Sequence, residues 1–566
     1  MTKRILIIGG TGVFGKRLAR HLATFEDIAL VVTSRSAEKA RQFVKTLTAK
    51  HPHLEAQGIA LDHSKGFADQ IQTLRPFAVV DCSGPFQTSG YETAKAVIAA
   101  GAHFVDLADA RTYLAGFPAA LDALSHHHGV SALTGASSTP TLSACVVDAV
   151  TRGWQRIDTI DICITPGGKS KVGRSVIAAI LSYAGQPVPI WENGQTAQTT
   201  GWVGAKTVVI PHLGRRRVAP VETFDAELLG PRHAVQSRIS FRAGLESPLE
   251  QRGIAALARL RKHRLIPALS GLIPLLLQAR RITRIPTSDQ GGMLVEICGI
   301  DGEGRFTQAK WSLVARNDHG PNIPILPAAA AIRALLDKAV PAGAALACDH
   351  LCLDDILDQM ASFDITTQTA ISHIAQSSFA TYLGADTYLA LPQAVQTFHS
   401  QTAPAMWEGR ADITGGRSFA AKALSRLFGF PKSGKDIAVT ICVDRAIGEN
   451  GQPIETWTRS FAQKSMSSVL GQQARGRFTE RFGPFGFTLG LTADASSLDW
   501  PVTGWRIWKM PLPAVLRPQS VAREYEDDQG RFCFDVRLSA PLIGLIAHYQ
   551  GYLTPRTPEP DRTTVD

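Results

Sequence analysis

Through its first 150 residues the chain alternates short apolar runs with stretches whose apolar positions recur at helical spacing. Arg4–Ile8, Ile28–Thr33, Gly58–Leu61, Phe77–Val80, His103–Leu107 and Val130–Thr134 are the apolar runs, the pattern of strands buried on both faces of a parallel sheet. Between the second and third, Ala37, Ala40, Phe43, Val44 and Leu47 fall at helical intervals behind Ser36, a residue suited to cap the helix. Strand and helix in regular alternation predict a doubly wound α/β domain over residues 1–155, with right-handed crossovers.

From Ile157 the rhythm changes. Strand-like segments at 157–164, 206–210, 293–300 and 308–315 are broken by one clear helical pattern, Val172–Ala184, and by long polar loops. This predicts an α+β substrate or dimerisation domain over 156–320, built on an antiparallel sheet. The helical stretch 321–340 is expected to pack back on the first domain and 341–376 to be a linker. Residues 377–553 are expected to form a separate, β-rich α+β domain, followed by a disordered tail over 554–566. In that domain Glu455, Trp457, Arg459 and Phe461 share one face of a strand, as a core charge pair or as one wall of a pocket.

Gly9-Gly10-Thr11-Gly12-Val13-Phe14-Gly15 follows the first strand and opens the first helix. This is the Rossmann dinucleotide fingerprint in its required setting. Gly10 allows the tight turn, Gly12 lets backbone approach a pyrophosphate, and Gly15 lets helix pack on strand. The helix N-terminus offers free N–H groups and the positive end of its dipole. Where an NAD site carries an acid after the second strand, this chain has Thr33-Ser34-Arg35, with no acid before Glu38. Arg35 suits a 2′-phosphate, which favours NADP(H). Asp62, beyond the third strand, joins the expected cofactor contacts.

Ser83-Gly84-Pro85-Phe86 after the fourth strand, Phe104-Val105-Asp106-Leu107 after the fifth, and Gly135-Ala-Ser-Ser-Thr-Pro140 before a helix complete a recognisable set. With the glycine loop, they make residues 1–345 similar to the saccharopine-dehydrogenase-like oxidoreductases. The resemblance implies that Ser83, Gly84, Pro85 and Phe86 lie at the nicotinamide end, and it extends to Gly173-Arg-Ser175 near the substrate. It leaves the substrate open, because that family also holds enoyl reductases of lipid synthesis. Residues 378–553 resemble a bacterial domain of unknown function, through Leu391-Pro392, His399, the Glu455–Phe461 segment, Gly504-Trp505, Leu512-Pro513 and Tyr549-x-Gly551-Tyr-Leu553.

The net charge of +10 is concentrated: residues 252–284 hold seven arginines, one lysine and no acid. One basic segment without a nucleic-acid module argues against a nucleic-acid partner. The apolar stretch Leu265–Leu277 inside it is too short to span a bilayer. It reads as a lid or dimer contact, as a core helix, or as a dock for an anionic membrane surface through residues 259–284. No secretory signal is read at the start, and eight scattered cysteines suit free thiols in a reducing cytoplasm. Cys348-x-His350-x-Cys352 lacks a second ligand pair, so no metal site is expected. Proton-donor candidates are Lys169, Lys171, Asp106, Asp109 and Tyr113, with no Tyr-x-x-x-Lys pair to choose among them. The expected protein is a homodimeric NADP(H)-dependent oxidoreductase reducing a C=N, C=O or C=C bond of a small or lipid-like molecule. The alternative is an NADP(H)-binding sensor or lipid-surface protein without turnover.

Overall fold

The computed structural model describes residues 2–61, 66–170, 174–266, 269–283, 287–448, 451–462, 464–473, 476–508 and 510–556. Strands β1 (Lys3–Ile8), β2 (Ile28–Ser34), β3 (Glu55–Ala60), β4 (Ala78–Asp81), β5 (His103–Asp106) and β6 (Ser131–Thr134) are all parallel, in the order β3-β2-β1-β4-β5-β6. Ile5, Leu6, Ile7, Val79, Val80 and Phe104 are wholly buried, which is why these runs show no polar alternation. Helix α1 (Val13–Leu22) joins β1 to β2, and α2 (Ala37–Lys50) joins β2 to β3. The strand order reverses at β1, so a crevice opens beyond the C-terminal ends of β1 and β4. Helix Leu326–Leu336, with Ala328 to Ala331 buried, packs against β5 and α1.

The second sheet contains β7 (Arg156–Thr165), β8 (Pro187–Glu192), β9 (Gln195–Thr200), β10 (Lys206–Ile210), β11 (Gly214–Pro220), β12 (Arg238–Ala243), β13 (Gly291–Ile300) and β14 (Phe306–Ala315). It is mixed: β12 and β7 run parallel, and the remaining pairs are antiparallel. Besides helix Arg174–Tyr183 it carries helices Asp225–Arg232, Pro248–Lys262 and Ile273–Thr283.

The expected linker is corrected. Residues 343–346 form β15 (Gly343–Leu346), which extends the first sheet parallel to β6. Residues 365–374 form β16 (Ile365–Ile374), which extends the second sheet antiparallel to β14 over ten residues. Neither has a clear pattern, because β15 is made of small residues and β16 buries neither face. The expected tail also begins too early, since Thr554 and Pro555 end the strand Gly544–Pro555; residues 557–566 lie outside the described ones.

The C-terminal part is a 13-stranded antiparallel sheet against which helices Ser378–Leu383 and Gln393–His399 pack. Phe379, Phe398, Trp457, Phe478 and Phe532 form its aromatic core. Glu455 and Arg459 do share a buried face, but they do not pair with each other. Glu455 accepts from Ser378 Oγ at 2.6 Å and Trp457 Nε1 at 2.9 Å, while Arg459 donates to Glu480 at 3.1 Å. A polar seam joins this part to the second sheet. Arg238 donates to Asp161 at 2.9 Å and also to Asp444, and Arg156 donates to the Thr402 and Ala403 carbonyls at 3.1 and 2.9 Å.

In the basic segment, Arg261 Nη1 donates to the carbonyls of Leu181, Ser182 and Ala184 at 2.9, 3.0 and 3.1 Å. It therefore caps the C-terminal end of helix Arg174–Tyr183, where a cation offsets the free carbonyls. Leu260, Leu265 and Leu275 are exposed, whereas Leu269 and Ile273 are buried. Among the described residues no helix is long and apolar enough to cross a membrane.

Candidate functional site

A cleft of about 1500 Å³ runs along the crevice of the first sheet and is closed on its far side by the second. Its floor at one end is the glycine loop. Gly9 has φ +67°, so the left-handed turn falls at Gly9 rather than at Gly10. Gly10 is required for space instead, because a Cβ there would lie 2.6 Å from Val32 Cγ1. Gly15 is tighter still: a Cβ would stand 2.4 Å from the Gly9 carbonyl oxygen and 2.6 Å from Gly10 Cα. Thr11, Gly12, Val13 and Phe14 line the cleft where α1 begins, and the first turn of that helix carries no acid. Its N–H groups and dipole face the opening, an arrangement that fits a pyrophosphate.

At the end of β2, Ser34 accepts a hydrogen bond from Thr11 Oγ1 at 3.0 Å and Arg35 is exposed on the cleft wall. Lys16, Arg20 and Lys39 line the same end, the first two lying over the Phe43 ring at 5.5 and 5.6 Å. Glu38 is not on this wall. Four cations with no acid among them suit a phosphate better than a bare ribose hydroxyl pair. Sequence reading found Arg35 but missed the other three, although Lys16 and Arg20 stand four residues apart on one helix face. Asp62 lies outside the described residues.

At the other end Asp81 accepts from Ser83 N at 2.8 Å and Ser83 Oγ at 2.5 Å, which fixes the loop after β4. Ser83, Gly84, Pro85 and Phe86 all line the cleft, and Phe86 is backed by the Tyr113 ring at 5.4 Å. Of the proton-donor candidates among the described residues, only Asp109 reaches the cleft, where it accepts from Gln87 Nε2 at 3.3 Å. Desolvation raises its carboxyl, Gln87 opposes the rise, and the nearby charge of Glu222 adds to it. Lys169 is exposed and off the cleft wall, and Lys171 lies outside the described residues.

Tyr113 and Asp106 are buried behind the wall, so their expected catalytic role is corrected. Asp106 instead ties the ends of β5 and β6 together: its Oδ1 accepts from Ala108 N, Gly135 N and Thr134 Oγ1 at 3.0, 2.9 and 2.9 Å. Burial nevertheless pushes its carboxyl up to about 7, against the pull of those bonds. A folded pKa above the unfolded value means that stability is fully present below 3.8 and is lost as the pH rises towards 7. Asp106→Asn is therefore expected to flatten the melting-temperature profile across that interval while NADPH still binds. Parallel profiles for the two proteins would show that the group does not titrate there.

The half of the cleft towards the second sheet draws on residues that sequence reading did not single out. Thr165 at the end of β7, Ser170, Tyr183, Trp202 and Glu222 all face it, with Ile164, Ile180, Phe241 and Met293 as apolar walls. Thr165 Oγ1, Ser170 Oγ and the Trp202 indole N–H are buried with no hydrogen-bond partner among the described residues. The Tyr183 hydroxyl stands beside that indole without completing its bond. Three buried, unsatisfied polar groups around one opening are what a polar ligand would satisfy. Glu222 is paired with Arg111 at 3.4 Å.

Residues 5–137 match the saccharopine dehydrogenase NADP binding domain. The likeness is confined to this stretch. Residues 391–553 match a domain of unknown function, DUF4166. Among solved structures, saccharopine dehydrogenase (L-Glu forming) from Saccharomyces cerevisiae is 14% identical, with 65% of this chain and 100% of that chain covered and a TM-score of 0.48. An engineered D-amino acid dehydrogenase bound to NADP+ is 15% identical over 63% and 99% of the two chains, with a TM-score of 0.34. The meso-diaminopimelate dehydrogenase mutant from Clostridium tetani is 11% identical over 62% and 95%, with a TM-score of 0.32. No curated protein matches the chain.

The matched stretch contains the glycine loop, Arg35 and the Ser83–Phe86 loop, all of which line the same cleft. The match ends at residue 137, before any residue of the half towards the second sheet except the loop around Asp109. Among the described residues, no group of three His, Cys, Asp or Glu side chains is placed to hold a metal ion.

Proposed function

We propose that this chain is an NADP(H)-dependent oxidoreductase that exchanges hydride with a small or lipid-like molecule held between the first two sheets. The observation that carries this reading is the continuity of the cleft from four cations at the β2 end, past the glycine loop, to the unsatisfied Thr165, Ser170 and Trp202 groups. Gly9, Gly10, Thr11, Gly12, Val13, Phe14 and Gly15 hold the pyrophosphate, Ser34 and Arg35 with Lys39 hold the 2′-phosphate, and Ser83, Gly84, Pro85 and Phe86 bound the nicotinamide. The bound dinucleotide supplies the hydride. The chain's own part is to orient the acceptor on Thr165, Ser170 and Trp202 and to keep water away with Ile164, Phe241 and Met293. Asp109, the titratable candidate on this wall, holds the proton for a carbonyl or imine acceptor. Helix Arg174–Tyr183, which carries Ile180 and Tyr183 into the cleft and rests on Arg261, serves as the lid.

Arg35→Ala is expected to weaken NADPH binding by about 10- to 100-fold, the worth of one charge-assisted contact of roughly 1.5–3 kcal/mol. NADH binding is expected to stay unchanged, and calorimetric titration of both cofactors checks it. Equal losses for the two would remove the 2′-phosphate from this wall. Turnover is tested by following NADPH oxidation with imines, ketones and enoyl thioesters. Tight cofactor binding with no turnover on any of them would favour the sensor reading.

A further inference from the structure

The edge strand β16 stands apart from the rest of the second sheet. Its neighbour β14 is buried at nine of its ten positions, whereas Thr366 to His373 are exposed on both faces of β16. The core therefore ends at β14, and β16 projects beyond it. It pairs with β14 in regular register along its whole length, and no other strand pairs with its outer edge among the described residues. Fixing ten residues costs backbone entropy, and one ladder of hydrogen bonds exchanged for bonds to water offsets little of it. Side-chain bonds of Gln368 with His212, His373 with Thr307 and Thr366 with Arg316 add to that ladder, and they leave the outer edge open.

Natural sheets protect such edges with charge, proline, bulges or covering loops. The opposite edge of this sheet is protected in that way: Lys206 sits on β10, and the adjoining β11 carries Arg215, Arg216 and Arg217. The sequence Ile365-Thr-Thr-Gln-Thr-Ala-Ile-Ser-His-Ile374 contains no Lys, Arg, Asp, Glu or Pro, and three isoleucines and three threonines favour extended backbone. In a chain of net charge +10, this neutral strand is a place where two identical molecules meet without repulsion. A strand related to its copy by a two-fold axis perpendicular to the sheet is necessarily antiparallel, and such a contact closes at two subunits.

We propose that β16 pairs antiparallel with β16 of a second copy of this chain, joining the two second sheets into one continuous sheet. The full chain then sediments at twice the 60.9 kDa chain mass at micromolar concentration. The variant T369K/I371K places two lysines on one exposed face of each strand, where they oppose those of the copy. It is expected to sediment as a monomer with an unchanged near-ultraviolet circular dichroism spectrum. V209K, on the opposite edge strand, is expected to remain dimeric. Hydrogen exchange gives a second readout: alternate amides between Thr366 and His373 are protected in the wild type and lose at least 100-fold of that protection in T369K/I371K. A monomeric wild type, a dimer indifferent to T369K/I371K, or open-ended polymers formed by β16 against β10 would each overturn the proposal.

Discussion

Gly15→Val is expected to abolish measurable NADPH binding and to lower the melting temperature by at least about 5 °C. The cause is contact with backbone rather than with a side chain that can turn aside. A Cβ at Gly15 meets the Gly9 carbonyl oxygen at 2.4 Å and Gly10 Cα at 2.6 Å, so α1 must move off the end of β1. Overpacking of a rigid contact costs about 1–3 kcal/mol, and a branched side chain against main chain belongs at or above the top of that range. Moving α1 also withdraws its N-terminal N–H groups from the phosphates, which adds a loss of affinity to the loss of stability. Gly90 is the matched control. It has open space around its Cβ position and an ordinary φ, so Gly90→Ala is expected to change the melting temperature by less than about 2 °C. Isothermal titration and calorimetric melting of the three proteins check both parts, and a Gly15→Val protein that still binds NADPH would show that the loop can yield.

Asp161→Asn is expected to be nearly as damaging, through charge rather than volume. Asp161 sits on β7 and accepts from Arg238 at 2.9 Å and from Ser240, with Lys206 3.3 Å away and Arg242 close by. Burial pushes its carboxyl up, but Arg238 and Lys206 more than reverse this and hold it well below the usual carboxylate range. Removing the carboxylate that Arg238, Lys206 and Arg242 share leaves Lys206 and Arg242 without it and Arg238 with Asp444 alone, at a cost of about 3–5 kcal/mol. Because the folded pKa is lowered, the wild-type advantage is fully present above 3.8 and is lost as the pH falls through that value and below. Melting curves of the two proteins are therefore expected to lie far apart at pH 7 and to approach each other in acid. A constant separation at every pH would assign the damage to packing. Arg238 also reaches Asp444, so the same variant is expected to make the C-terminal part more susceptible to proteolytic release.

The first sheet was legible because its central strands bury both faces, so Arg4–Ile8 or Phe77–Val80 stand out from their surroundings without a partner in sight. The glycine loop was legible for a related reason: Gly9, Gly10 and Gly15 answer to contacts made within a few residues of themselves. The half towards the second sheet was not. Thr165, Ser170, Tyr183, Trp202 and Glu222 come from segments that meet only because β7 and β12 run parallel in an otherwise antiparallel sheet. No spacing in the sequence records that neighbourhood. Asp106 and Tyr113 were drawn to the cleft by their place after β5, yet whether a side chain there faces the ligand or the scaffold depends on the loop around Gly135, which folds over them. The strands β15 and β16 were lost for opposite reasons, one having too little side chain to form a pattern and the other having no buried face to impose one.

The chain does not finish the first domain before starting the second. It leaves β6 for β7, returns through helix Leu326–Leu336 to lay down β15, and leaves again for β16. Three covalent crossings therefore stitch the walls of the cleft together. A gene fragment ending near residue 340 would encode a first sheet missing its edge strand and a second sheet missing β16. The smallest stretch that recombination could carry intact from one protein to another, both walls of the cleft included, thus runs to about residue 376, just where the C-terminal part begins.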